Sequence, residues 1–153
     1  MSGKKFRFSL QSVLELREYE TEQARHQLQA TVQAREEQEQ AVQRAEERLK
    51  EIRDEAPDPG RVGLRTLRQH DAFRQHAQQQ LQQEQKRLRE LEEQEAEARA
   101  AWIEHRQAEE SLNTLHDKEQ AQHQKDQSDA ELAFIDEQSV MRYNRSSNRP
   151  SLL

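Results

Sequence analysis

The chain has no cysteine, and only three glycines and three prolines in 153 residues. Without cysteine, disulfides and thiolate metal sites are excluded, and the redox compartment leaves no trace. So few glycines argue against a catalytic scaffold built on tight loops. Apolar residues are also scarce, at 31% against 35% charged, so a thick two-layer core is not expected. No apolar run approaches the roughly 18 residues of a membrane span, and no secretory leader is expected at the start. A cytoplasmic location is the default expectation.

What is abundant points the other way. Ala, Glu, Lys, Leu, Arg and Gln supply 101 of the residues, the composition of long exposed helices or a coiled coil. Low hydropathy and high charge also mark disordered chains. Here 24 bases nearly balance 30 acids, for a net charge of −6, and the apolar residues are regularly spaced.

The spacing is a 4-3 repeat, the pattern of a narrow stripe shared by two helices. One frame runs from Leu10 to Ala56, and nine of its fourteen positions are apolar, among them Leu14, Leu28, Val42, Leu49 and Ile52. Arg17, Thr21, Thr31, Arg35 and Gln38 are the exceptions. The segment Ala56-Pro57-Asp58-Pro59-Gly60-Arg61-Val62-Gly63 then holds two of the three prolines and two of the three glycines. Pro59 lacks an amide hydrogen and Pro57 disfavours helix at Ala56, so the first helix must stop here. A second frame runs from Leu67 to Leu112 with eight apolar positions of fourteen, including Ala77, Leu81, Leu88 and Trp102. Near Leu112 and Leu115 the phase shifts by about one residue, as a stutter would do. Residues 117–129 are almost wholly polar, and apolar character returns at Leu132, Phe134, Ile135, Val140 and Met141.

The fold class expected is therefore all-α, an antiparallel two-helix coiled-coil hairpin with unequal arms, as a single unit over residues 1–153. Helix 1 is expected over about 9–56, a turn over 57–63, helix 2 over about 64–143 and a frayed tail over 144–153. At ~1.5 Å per residue the arms are roughly 70 and 120 Å long. The longer arm must outrun the shorter, with the overhang starting near Leu112. Arg17, Arg35, Glu84, Glu95 and His105 interrupt the seam, so the rod is expected to be marginal, with its polar positions serving register more than stability.

No catalytic motif is present: neither a glycine-rich phosphate loop nor a serine elbow occurs. The expectation is a chain that is not an enzyme, holds no metal and binds no cofactor. His26, His70, His76, His105, His116 and His123 include no pair at i,i+3 or i,i+4, and they read as solvated polar positions. Charge is uneven: residues 1–14 carry Lys4, Lys5 and Arg7 without an acid, residues 138–153 carry Arg142, Arg145 and Arg149 without one, and the middle is acidic. An acidic rod with basic ends suits protein surfaces better than nucleic acid. Of the seven aromatics, Phe6, Phe8, Phe134 and Tyr143 lie toward the ends and Phe73 near the turn, while Tyr19 and Trp102 lie within the arms. Exposed apolar groups at the tip and the ends are what partner docking would need. Phe73 lies off the frame, and is either such a contact or tucked into the seam by local phase drift.

The opening Phe6-Arg7-Phe8-Ser9-Leu10-Gln11-Ser12-Val13-Leu14-Glu15-Leu16-Arg17, followed by Ala24, resembles the N-terminus of the flagellar export protein FliJ family. Glu131-Leu132-Ala133-Phe134-Ile135-Asp136-Glu137 and the later Arg142 are similar to that family's closing block. The resemblance implies a component of the flagellar type III export apparatus, and with it a place in flagellum biogenesis, motility and chemotaxis. It implies a two-helix rod like the central stalk of rotary ATPases, entering the pore of the hexameric export ATPase FliI. Contacts with the cytoplasmic domain of the export gate protein FlhA and with export chaperones are implied too, and so is peripheral association with the membrane through these partners. By position, Phe6, Phe8, Leu10, Leu14 and Arg17 with Leu132, Ile135 and Arg142 would face the ATPase. Near the apex, Arg48, Ile52, Phe73 and Ala77 would face the gate. The alternatives are the equivalent stalk of a virulence-type secretion system, a generic coiled-coil tether or chaperone, and an arm of a larger enzyme. Phe6-x-Phe8, lying before the first heptad, counts against the tether.

Overall fold

The computed structural model describes residues 3–148. Among them are two helices and no strand: α1 (Gln11–Asp54, 44 residues) and α2 (Leu64–Ser147, 84 residues). Contacts between the two make the fold an all-α hairpin. Residues Tyr19–Arg106 form one compact unit, and Met1–Glu18 with Gln107–Leu153 form a second.

The first unit holds the turn and the arms that flank it. α1 stops at Asp54, three residues before Pro57, which biases Ala56 away from helix. Pro59 then takes the second position of a turn in which Arg61 N–H donates to Asp58 O (3.0 Å) and Gly60 N–H to the Asp58 carboxylate (3.1 Å). Neither glycine of this turn has positive φ, so Gly60 is not there for a left-handed backbone. α2 starts when the Gly63 carbonyl accepts from Thr66 and Leu67.

The seam lies where the 4-3 frame puts it. Thr31, Gln38, Val42 and Leu49 of α1 and Ala77 of α2 are buried, and the other frame positions of this unit, apart from Ala56, are half-buried. Each buried Leu or Val contributes about 1.5–3 kcal/mol. The polar frame residues pair with one another across the seam. The Arg35 guanidinium donates to the Glu95 carboxylate across the seam and, within α1, to Glu39 at 2.6 Å. Gln38 donates to the Glu84 carboxylate and to its backbone oxygen (3.0 Å). His70 Nε2 meets Ile52 O at 2.7 Å, and His105 Nδ1 lies 3.7 Å from the Glu20 carboxylate. Thr31 returns its hydroxyl to Leu28 O, which frees its methyl for the seam. No buried side-chain polar atom among the described residues lacks a partner. Such pairs suit register, because a shift of one turn would strand several of them at once.

In the second unit the chain departs from expectation at both ends. Residues 3–8 are neither helix nor strand, and α1 begins at Gln11, with Gln11 N–H donating to Phe8 O (3.2 Å) and Leu14 N–H to Leu10 O (2.9 Å). α2 continues to Ser147, through residues read as tail. Ser146 and Ser147 hydroxyls bond back to Tyr143 O at 2.8 and 3.1 Å, which supports the last turn. The expected tail from 149 onward lies outside the described residues.

Candidate functional site

No stutter occurs near Leu112. The half-buried stripe of α2 continues in phase through Leu112, His116 and Glu119 to His123 and then steps by one residue to Gln127, while Leu115 is exposed. The frame was lost in the sequence because its next members are polar.

Their partner is the N-terminal segment, which runs stretched and antiparallel along them. His123 Nε2 and Gln127 Nε2 both bond Lys4 O, at 2.9 Å each. The Phe6 ring centre lies 5.5 Å from both the His116 and the His123 ring centres. The Phe8 ring meets His116 edge-on at 5.1 Å, and Phe8 is 93% buried, with 7% of its surface left. His116 Nδ1 in turn sits 3.1 Å from the Asp117 carboxylate. From Lys4 to Phe8 an extended chain advances about 13 Å, the length of roughly nine helical residues. Each stretched residue therefore shields about twice the length of α2 that a helical one would. This moves the start of the bare arm from Leu112 to beyond Gln127. It also corrects the reading of His116 and His123 as solvated: both pack against phenylalanine. Gly3 completes the close approach, since a Cβ there would lie 2.8 Å from Gln127 Nε2.

From Ser128 to Asn148 every residue is exposed. Leu132, Phe134, Ile135, Val140, Met141 and Tyr143 are all at least 47% exposed, a density of bare apolar side chains found nowhere else among the described residues. They do not form one face. At about 100° per residue, Leu132 and Tyr143 lie on one side, Ile135 next to them, Phe134 and Met141 opposite, and Val140 between. No arc much wider than about 100° lacks one of them.

The residues expected to face the ATPase are thus divided. Phe8 and Leu14 are buried, Phe6, Leu10 and Arg17 half-buried, and Leu132, Ile135 and Arg142 fully on the surface. His116, His123 and Gln127 were missed, although extending the second frame past Leu112 would have reached both histidines. Near the turn, Phe73 is 63% exposed, so it is not tucked into the seam. Arg48 is exposed, Ile52 half-buried and Ala77 buried, so of the four residues expected to face the gate only Phe73 and Arg48 are open to solvent.

The ionic pairs are structural. The Arg35 guanidinium beside Glu95, helped by Arg99, holds the Glu95 carboxyl below its ordinary range, and Glu95 and Glu39 raise Arg35 in return. On the outer face Arg25 lowers Glu22 in the same way. Among the described residues no group of three or more His, Asp or Glu side chains is placed to hold a metal ion, and no helix is long and apolar enough to cross a membrane.

Residues 6–148 match the family described as Flagellar FliJ protein. No curated protein and no solved structure matches the chain.

Proposed function

Because the chain belongs to the flagellar FliJ family, and with it to the set of flagellar type III export components that interact with one another, we propose that it is the stalk of the export ATPase. The bare end of α2 carries this reading. A helix that docks on a flat partner needs one apolar stripe; a helix apolar on all sides suits enclosure. Leu132, Phe134, Ile135, Val140, Met141 and Tyr143 surround α2, as the lumen of a hexameric FliI-like ring would require. Leu132, Ile135 and Arg142 meet the ring directly in this reading. Phe6, Phe8, Leu10, Leu14 and Arg17 support the base of the inserted helix.

The mechanism is differential binding, and the chain is not an enzyme. A single helix inside six equivalent subunits contacts each one differently. Its binding energy then favours ring assembly and biases nucleotide states around the ring, while the ring supplies the hydrolytic groups. At the turn, Phe73 and Arg48 form the contact for the cytoplasmic domain of a FlhA-like gate, with Ile52 and Ala77 in the seam, and export chaperones share the arms. In this reading the chain works in the cytoplasm, at the inner face of the cell membrane, held there by its partners.

The test is direct. Adding purified chain to the cognate export ATPase should raise hexamer formation and turnover. No change at saturating chain would sink the stalk reading.

A further inference from the structure

The large apolar side chains on the bare part of α2 are spaced the same in both directions. They are Leu132, Phe134, Ile135, Val140, Met141 and Tyr143, all exposed. Turned end for end about a point between Glu137 and Gln138, Leu132 takes the place of Tyr143, Phe134 that of Met141 and Ile135 that of Val140. The charges do the reverse. Asp129, Glu131, Asp136 and Glu137 lie before that point, and Arg142 and Arg145 after it. A second copy laid alongside in the opposite direction meets apolar with apolar and acid with base. Laid in the same direction, it meets acid with acid.

One side of the helix carries most of this symmetry. At about 100° per residue, Leu132 and Tyr143 lie within about 20° of each other, with Ile135 and Val140 about 70° to either side. Asp136 and Ser139 fall between these flanks. The stripe through His123 and Gln127, which holds Lys4 O, is at least about 150° away around α2, so that contact lies on the opposite side.

We propose that this face pairs with the same face of a second copy of the chain, antiparallel, about a two-fold axis level with Glu137 and Gln138. Such an interface is isologous, so each contact occurs twice. Leu132 of each copy meets Tyr143 of the other at one level. Asp136 faces Ser139, whose hydroxyl donates to the carboxylate. At one edge Arg142 of each copy lies within about 3 Å, along the axis, of the level of Glu131 of the other. Ion pairs at such flanking positions set orientation in paired helices. About four turns of each helix take part, which makes this an interface of the small, transient class. Leu132, Ile135 and Arg142 also meet the ring in the stalk reading, so a chain is either paired or inserted. That exclusion rests on the stalk reading; the pair itself does not.

The chain has no cysteine, so single introduced thiols report the pairing directly. Under mild oxidation, an equimolar mixture of full-length Leu132→Cys and Tyr143→Cys chains should form the mixed disulfide, with the second Leu132–Tyr143 contact left intact. Neither variant alone should link, because its two thiols would stand about 16 Å apart along the axis. No disulfide in the mixture, or equal linking of each variant by itself, would overturn the antiparallel pair. In sedimentation equilibrium Glu131→Arg and Arg142→Glu should each raise the dimer dissociation constant at least about fivefold, and the double variant should return within about twofold of the original. A chain that stays monomeric at about 1 mM, or a double variant as weak as the single ones, would overturn the pair as well. The disulfide-linked pair should fail to stimulate the cognate export ATPase, and reduction should restore stimulation. Stimulation by the linked pair would overturn the exclusion. No stimulation by the linked, reduced or unaltered chain would instead remove the stalk reading and leave the pair standing.

Discussion

The arms flanking the turn and the far end of α2 draw on the same small vocabulary of residues and treat it in opposite ways. In the arms Val42 and Leu49 are buried although glutamate and glutamine surround them in sequence. In the far end Leu132, Phe134 and Ile135 stand in water. Helix propensity does not separate the two, since both are α-helical throughout. What separates them is whether a second segment lies opposite. The arms spend a few apolar side chains economically because each one finds a facing surface, and polar pairs such as Arg35–Glu95 fill the remaining positions. The far end has more exposed apolar surface than a helix needs for its own stability, and an isolated helix of about 20 residues is marginal in water. That surplus is the mark of a surface meant for another molecule.

The contrast can be broken at its stable end first. Leu49→Ala should cost about 2–3 kcal/mol, read from thermal melting by circular dichroism, because the seam is thin but Leu49 is 95% removed from solvent, with 5% left. A loss within experimental error would mean that the arms do not hold each other. At the bare end the pattern should invert. Leu132→Ser with Ile135→Ser should leave stability within about 0.5 kcal/mol, since neither side chain is covered. The same variant should need at least about tenfold more protein to stimulate the export ATPase, roughly 1.4 kcal/mol of binding. Full stimulation at the original concentration would remove these residues from the interface. Phe73→Asp should act likewise at the turn, weakening binding to the gate's cytoplasmic domain with helicity unchanged; equal affinity in titration calorimetry would refute that surface.

Two smaller effects sharpen the account of the seam. Glu95 has its folded-state pKa lowered by Arg35 and Arg99. The unfolded chain therefore binds a proton more readily, and this contribution is complete above the ordinary glutamate value of about 4.3 and lost as pH falls through the folded value. Glu95→Gln should flatten the acid side of the stability profile; an equally steep profile would mean that other carboxylates carry it. Thr31→Val replaces a hydroxyl that bonds only its own helix with a second methyl in the seam. A gain of up to about 0.5 kcal/mol in denaturant titration is expected. A loss would show that the hydroxyl is needed where it stands.

The turn was the easiest feature to read, because proline acts locally: Pro57 and Pro59 end a helix whatever else the chain does. The seam was legible nearly position by position, since any residue recurring at 4-3 spacing faces the partner helix, charged or not. The site was legible only in part. Treating His116 and His123 as gaps in an apolar stripe hid them, although an imidazole is a good surface for a phenyl ring. Phe6 and Phe8 read as exposed ends for the same reason, that no partner for them was visible nearby in sequence.

By itself, then, the sequence determined that the chain is helical, where it turns and which stripe each arm buries, because those properties depend on neighbours within a turn or two. Only the tertiary structure decided where shielding ends. That limit depends on the N-terminal segment being stretched rather than helical, at about 3.3 Å per residue instead of ~1.5 Å, and on its contact with residues more than a hundred positions away. No local pattern encodes that contact. It arises from what two distant segments offer each other once the hairpin has formed.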